Sequence, residues 1–215
     1  MAEKKLTGIS RAFGMVLGIT LCPVAWGQKT PTPDEVLKGF RTLDAAGVRL
    51  TASGWYGSNH FFLRPDKPPK APIFGVMFGE SIYHTKVEGK TAEVWLLRGT
   101  VGQIDAVGHF TSVVEPELRR LRRAAPDDPL ITGPTRVDFV YQLVLTDSYW
   151  EFGPNGEGLR QVKGVPQWKL EYFSPEPWVT VDVAIKYLAT LREKLSSEIV
   201  KKNADESIAA LRRAR

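Results

Sequence analysis

Residues 137–146 read Val-Asp-Phe-Val-Tyr-Gln-Leu-Val-Leu-Thr, and this stretch decides the fold. Val137, Phe139, Tyr141, Leu143 and Leu145 recur at every second position, with Asp138, Gln142 and Thr146 between them. Side chains of an extended chain alternate between two faces, so a period of two marks a strand with one apolar face. The chain therefore contains a sheet that lays one side on a core.

Further strands lie on both sides of this one. Ile73–Phe78 is a short apolar run, and Ile82–Glu88 and Thr91–Arg98 flank Gly89-Lys90, a hairpin turn. Val101–Phe110 is a weaker strand region carrying two glycines, and Glu115–Asp128 is polar and irregular. Trp150–Phe152 runs into the turn signal Pro154-Asn155-Gly156, and Gly153–Gly158 reads as a hairpin turn. Gln167–Phe173 alternates again, with Trp168, Leu170 and Tyr172 together.

Helices flank the strands. Thr32-Pro33-Asp34-Glu35 is a capping box with proline at the first helical position. Val36, Leu37, Phe40 and Leu43 follow at helical spacing, and Gly47 ends the helix. A short helical stretch after Thr51 carries Trp55, Tyr56, Phe61 and Phe62, and the four prolines of Arg64–Pro72 make a linker. Ser174-Pro175-Glu176-Pro177 breaks the sheet. Two amphipathic helices follow, one capped by Thr180 with Val181, Ala184, Ile185, Leu188, Leu191 and Leu195, the other after Ser196 with Ile199, Val200, Ala204, Ile208 and Leu211.

The start of the chain has a different character. Lys4, Lys5 and Arg11 precede an apolar run over Ala12–Ala25, and Ala25-Trp26-Gly27 puts small residues where a signal peptidase reads. Residues 1–27 are thus read as a signal peptide, cleaved between Gly27 and Gln28, and the product as exported, periplasmic or secreted. The run is short of the ~20 residues of a membrane span, so no stable span is expected after cleavage. Leu21 before Cys22 argues against a lipoprotein. Cleavage removes the single cysteine, which excludes disulfides, a thiol nucleophile and cysteine-ligated metal. The remaining chain of under 190 residues is long enough to build an ordinary core, as one domain or one domain plus an appendage.

The formal charge of the whole chain is +5, and of the part after the leader +3. Arginines 119, 120, 122 and 123 cluster, as do 212, 213 and 215, but Asp127 and Asp128 offset the first group. No nucleic-acid motif accompanies them, and nucleic acid is not an expected partner.

The order helix, short helix, antiparallel strands, alternating Trp-Lys-Leu strand is carried by Asp34–Gly47, Trp55–Phe62, Thr91–Leu97, Val137–Trp150 and Gln167–Tyr172. It resembles the nuclear transport factor two-like (SnoaL-like) superfamily over residues 30–173. The 174–215 helices and the insertion Glu115–Pro134 depart from the minimal family pattern. The resemblance implies a curved sheet wrapping the helices around a pocket, in a superfamily of isomerases, dehydratases, cyclases and non-catalytic binding domains. The expected fold is α+β: N-terminal helices packed on a curved antiparallel sheet over 28–173, and a C-terminal two-helix extension over 174–215.

Chemistry is sparse. His60, His84 and His109 are far apart and show no two-histidine metal spacing; no metal and no cofactor is expected. No nucleophile elbow, phosphate loop or dinucleotide fingerprint occurs. Enzymes of the resembled fold often hold an Asp–His pair in the cone. Asp105 and His109 share a strand face at roughly 13 Å, too far to bond, whereas Asp138 is a candidate to meet His109 across the sheet as a general base. The other reading of Asp138 is the solvent side of an alternating strand. Trp55, Tyr56, Trp95, Tyr141, Trp150 and Trp168 line an apolar ligand pocket or are plain core; both readings stay open. The expected function is an exported, non-enzymatic domain binding a small apolar molecule or an envelope protein. The alternative is a small cofactor-free enzyme of isomerase or dehydratase type, with Asp138 and His109 moving the proton. Oligomeric state is left open.

Overall fold

A long hairpin organises the molecule. In the computed structural model, which describes residues 30–112, 135–153, 156–171 and 176–215 (backbone alone at 135–138), strand β1 spans Phe74–Glu88 and β2 Thr91–Ile104. They pair antiparallel through a turn at Gly89, whose φ of 59° suits a residue without Cβ. β1 joins the two runs expected at 73–78 and 82–88 into one strand. Its register slips after Val76, Met77 and Ile82, and such bulges scramble the alternation that would have revealed its continuity.

The weaker strand region at 101–110 divides. Asp105 Oδ1 accepts the N–H groups of Val107 and His109, each at 2.9 Å, and Gly108 takes a φ of 78°. This tight turn ends β2 and starts β3 (Phe110–Ser112), which folds back on it. β4 (Thr135–Phe152) pairs with β2, and β5 (Leu159–Leu170) with β4, both antiparallel.

The Ser174–Pro177 break does not end the sheet. β6 (Trp178–Thr180) adds parallel to Gly75–Met77 of β1, and Gly75 N–H donates to Pro177 O at 2.8 Å. The six-stranded sheet, ordered β5-β4-β2-β1-β6 with β3 on β2, is therefore mixed and not purely antiparallel. Three residues directly before a helix are too few to show a period of two.

Among the described residues four α-helices complete an α+β fold: α1 (Pro33–Ala45), α2 (Ala52–Gly57), α3 (Val181–Lys194) and α4 (Glu198–Ala214). The Thr32–Glu35 capping box forms as expected. Along β2, Ala92, Val94, Leu96, Arg98 and Thr100 alternate as buried positions. Leu37 and Phe40 share one apolar cluster with Phe62, Ala92, Val94, Leu143 and Leu170. A second cluster joins Phe74, Val76 and Ile104 to Ala184, Leu188, Ala204 and Leu211, so both C-terminal helices bury their stripes on their own chain. Ser207 Oγ of α4 donates to Gly108 O at 2.9 Å and accepts Phe110 N–H at 2.8 Å, fixing the helix to the β2–β3 turn. Each fully buried Leu or Phe contributes about 2 kcal/mol.

The leader, the cleavage point Gly27-Gln28, the arginines at 119–123 and Tyr172 lie outside the described residues. Among those described, no helix is long and apolar enough to cross a membrane.

Trp178 lies on Gly75 so closely that a Cβ there would meet its indole at 2.4–2.5 Å. Gly75→Ala is expected to lower the unfolding free energy in urea by about 1–3 kcal/mol. Gly79→Ala, on the same strand with open space around it, changes it by under about 0.5 kcal/mol.

Candidate functional site

The α1 stripe continues past Phe40 with Arg41 and Asp44, at helical steps that place both charges on the buried side. Neither is solvated: Arg41 is 4% exposed and Asp44 0%. The guanidinium of Arg41 reaches three elements. Nη1 donates to Asp44 Oδ2 at 2.5 Å, Nε to Glu80 Oε1 of β1 at 2.7 Å, and Nη2 to the carbonyl of Trp178 in β6 at 3.3 Å. Trp178 N–H in turn donates to Asp44 Oδ2 at 3.2 Å, so α1 holds both backbone groups of that residue.

The carboxylates are shared. Glu80 Oε2 accepts Arg98 Nε of β2 at 2.9 Å, and Arg98 Nη2 donates to the Tyr141 hydroxyl at 3.1 Å. Asp44 Oδ1 faces Arg49 Nη1 at 3.5 Å. The order Arg49–Asp44–Arg41–Glu80–Arg98–Tyr141 is one continuous chain. Aromatic rings enclose it. Arg49 lies over Trp55 at 4.3 Å, and Arg98 over Phe139 at 4.1 Å and Trp178 at 4.5 Å. A guanidinium is weakly hydrated and stacks on ring faces, which makes it the cation best suited to such burial.

Burial opposes the charges of Arg49, Asp44 and Arg41. It pulls Arg49 below its usual range and pushes the Asp44 carboxyl up, against the pull of Arg49, Arg41 and the Trp178 N–H. For Arg41 burial is outweighed by Tyr141, Asp44 and Glu80, and its pKa rises. The arrangement locks helix to sheet; with its carboxylates engaged by guanidiniums, it offers no free base.

A second buried cation stands apart. Lys169 of β5 is 3% exposed, donates from Nζ to the carbonyl of His60, and sits 3.7 Å from the centre of the Tyr149 ring. Desolvation lowers its pKa to about 8, only partly opposed by Glu151.

The six candidate aromatics are dispersed. Trp55 is buried under Arg49 and donates Nε1–H to Asp66 O at 2.8 Å; Tyr141 ends the ionic chain. Tyr56 packs edge-on to Phe152 at 5.5 Å. Trp168 packs beside Leu143 and Leu170, Trp150 is at the surface, and Trp95 lies between Val140 and His84 in the strand register. An open recess of about 220 Å³ involves Lys86, Glu88, Glu93 and Glu171 and none of the six.

His109 is exposed in the β2–β3 turn. The backbone of Asp138 pairs with Leu97, whereas β3 meets β2 at Ile104, roughly 23 Å further along. The side chain of Asp138 lies outside the described residues. His60 Nδ1 is 2.9 Å from Gly57 O, and the His84 ring is 4.8 Å from Trp95. Among the described residues no group of three His, Cys, Asp or Glu is placed to hold a metal ion.

Sequence reasoning passed over Arg41, Asp44, Arg49, Glu80, Arg98 and Lys169. A signal existed for three: Arg41 and Asp44 extend the Leu37–Phe40 stripe, and Arg98 continues the Ala92, Val94, Leu96 alternation. Comparisons with protein-family models, curated proteins and solved structures found no match.

Lys169 gives a signed pH dependence. Its folded pKa near 8 lies below the unfolded value, so between these the unfolded chain binds more protons and stability rises with pH. Unfolding free energy is expected to increase from pH 7 to above pH 10 by up to about 3 kcal/mol more in the wild type than in Lys169→Met, read by urea unfolding at each pH.

Proposed function

We propose that the chain is an exported binding domain without catalysis, contacting a small apolar molecule or another envelope protein. The observation that carries this reading is the side of the sheet away from Ala92, Val94 and Leu96. There Trp95 and Leu97 are half-buried beside Val140, which is 49% exposed, with exposed His84 in the same row as Trp95. Nearby on β1, Tyr83 is 55% exposed. Apolar and aromatic side chains grouped on an open strand face mark contact surfaces. The enclosed carboxylates of Asp44 and Glu80, by contrast, are spent on guanidiniums. The cone reading, with the N-terminal helices closing over a curved sheet, is supported by Leu37 and Phe40 in the cluster with Ala92 and Leu143. Export rests on the leader pattern at 1–27. Proton transfer by Asp138 and His109 ranks second, since it requires two residues far apart in register to meet.

An apolar fluorescent probe titrated into the protein should quench tryptophan emission saturably. Trp95→Ala and Val140→Asp should weaken its binding about tenfold, and Trp55→Phe should leave it unchanged. Absence of saturable quenching, or equal loss in all three variants, would refute the reading.

A further inference from the structure

Beside the exposed aromatic row lies the open recess. Lys86 of β1 pairs across with Glu93 of β2, and Glu93 with Gln142 of β4. Glu171, directly after β5, donates its N–H to Gln142 O at 2.9 Å and carries the row one strand further. Residues opposed across strands point to one face, so this row shares the open face with the next one, His84–Trp95–Val140. Two residues of strand, roughly 7 Å, separate the rows. The recess holds about 220 Å³ and is lined by the Lys86–Glu171 row and by Glu88.

Its charge is one-sided. Lys86 Nζ is 2.8 Å from Glu88 Oε1, and among the described residues that line the recess Lys86 alone is basic. Glu88, Glu93 and Glu171 set three carboxylates against that one ammonium, on a chain whose formal charge is +5. Like charges on neighbouring strands repel, and a further cation in the recess relieves them. The ion pair is well exposed, so Coulomb attraction alone gives little. The adjoining row supplies the rest. Trp95 is half-buried, with the His84 ring 4.8 Å from its own and Val140 opposite it on β4. A shelf of this kind takes apolar surface out of water, and ring faces attract cations.

We propose that the open face binds an amphipathic organic cation, its ammonium head in the recess at Glu93 and Glu171 and its apolar tail along Trp95 and Val140. This rests on the reading of that face as the contact surface and adds the sign and place of the ligand's charge. The recess falls below the ~300 Å³ at which pockets for whole ligands begin, and suits a head group. A second copy of the chain docked face to face would bring the same acidic row with it, which disfavours self-association here.

The test is calorimetric titration of the full chain with 4-phenylbutylammonium, 4-phenylbutanol and 4-phenylbutanoate, which share one tail and differ in head charge. The ammonium is expected to bind about fivefold more tightly than the alcohol, the carboxylate to bind least, and high salt to narrow the difference. Glu93→Gln with Glu171→Gln is expected to bring the ammonium down to the alcohol and leave the alcohol unchanged; Trp95→Ala is expected to weaken both. If the alcohol binds through Trp95 and the ammonium binds no more tightly, the inference falls and the contact surface stands. If none of the three binds, or Trp95→Ala changes nothing, both fall for small molecules. A dimer by sedimentation that is lost in Val140→Asp would give the face to a second copy and likewise overturn the inference.

Discussion

Two carboxylates, each held between two guanidiniums in an otherwise apolar interior, are the constraint on which the structure depends. Asp44 and Glu80 tie α1 to β1, β2 and β6 at once, and Trp178 is held by its backbone and by its ring. Ion pairs of this kind are poor contributors of net stability, because desolvation consumes much of the Coulomb gain. Their effect is on geometry. An apolar helix face slides over an apolar sheet at little cost, whereas leaving any member of this chain without its partner costs about 3–5 kcal/mol. The register of α1 against the sheet is therefore set by charge, and the Leu37–Phe40 cluster fills in around it.

The same constraint bears on function. Asp44 and Glu80 are engaged by opposite charges, buried Lys169 is held by a backbone carbonyl, and the histidines lie at the surface or in turns. What is left available is a partly exposed aromatic row on the other side of the sheet. The apolar stripes of the C-terminal helices close the second core cluster against Phe74 and Ile104. Leu195 and Ile199, 40% and 72% exposed, are the members of the predicted stripes that stay at the surface.

Much of the architecture was legible in the chain because its signals are local. The Thr32–Glu35 box, the Gly89 turn, the alternation through Tyr141 and Leu143, and the Thr180 cap each act within a few residues. What was not legible depended on partners distant in sequence. β6 escaped because three residues carry no period, and β1 looked like two strands because its bulges reset the alternation. Arg98 looked like the end of a hairpin strand, although it stood where the alternation demanded an apolar residue. Lys169 alternates with Trp168 and Leu170 and so drew no reading of its own; it is buried because the backbone near His60 passes over it. A charge that breaks an apolar pattern is thus worth pursuing as a buried one.

The account is tested most directly by a double-mutant cycle on Arg41 and Glu80, using Arg41→Met, Glu80→Met and the pair together, with unfolding free energies from urea titration. A chain that fixes helix to sheet predicts severe loss in each single variant and partial recovery in the pair, with a coupling of about 1–3 kcal/mol. Losses that simply add, to within about 0.3 kcal/mol, would contradict it.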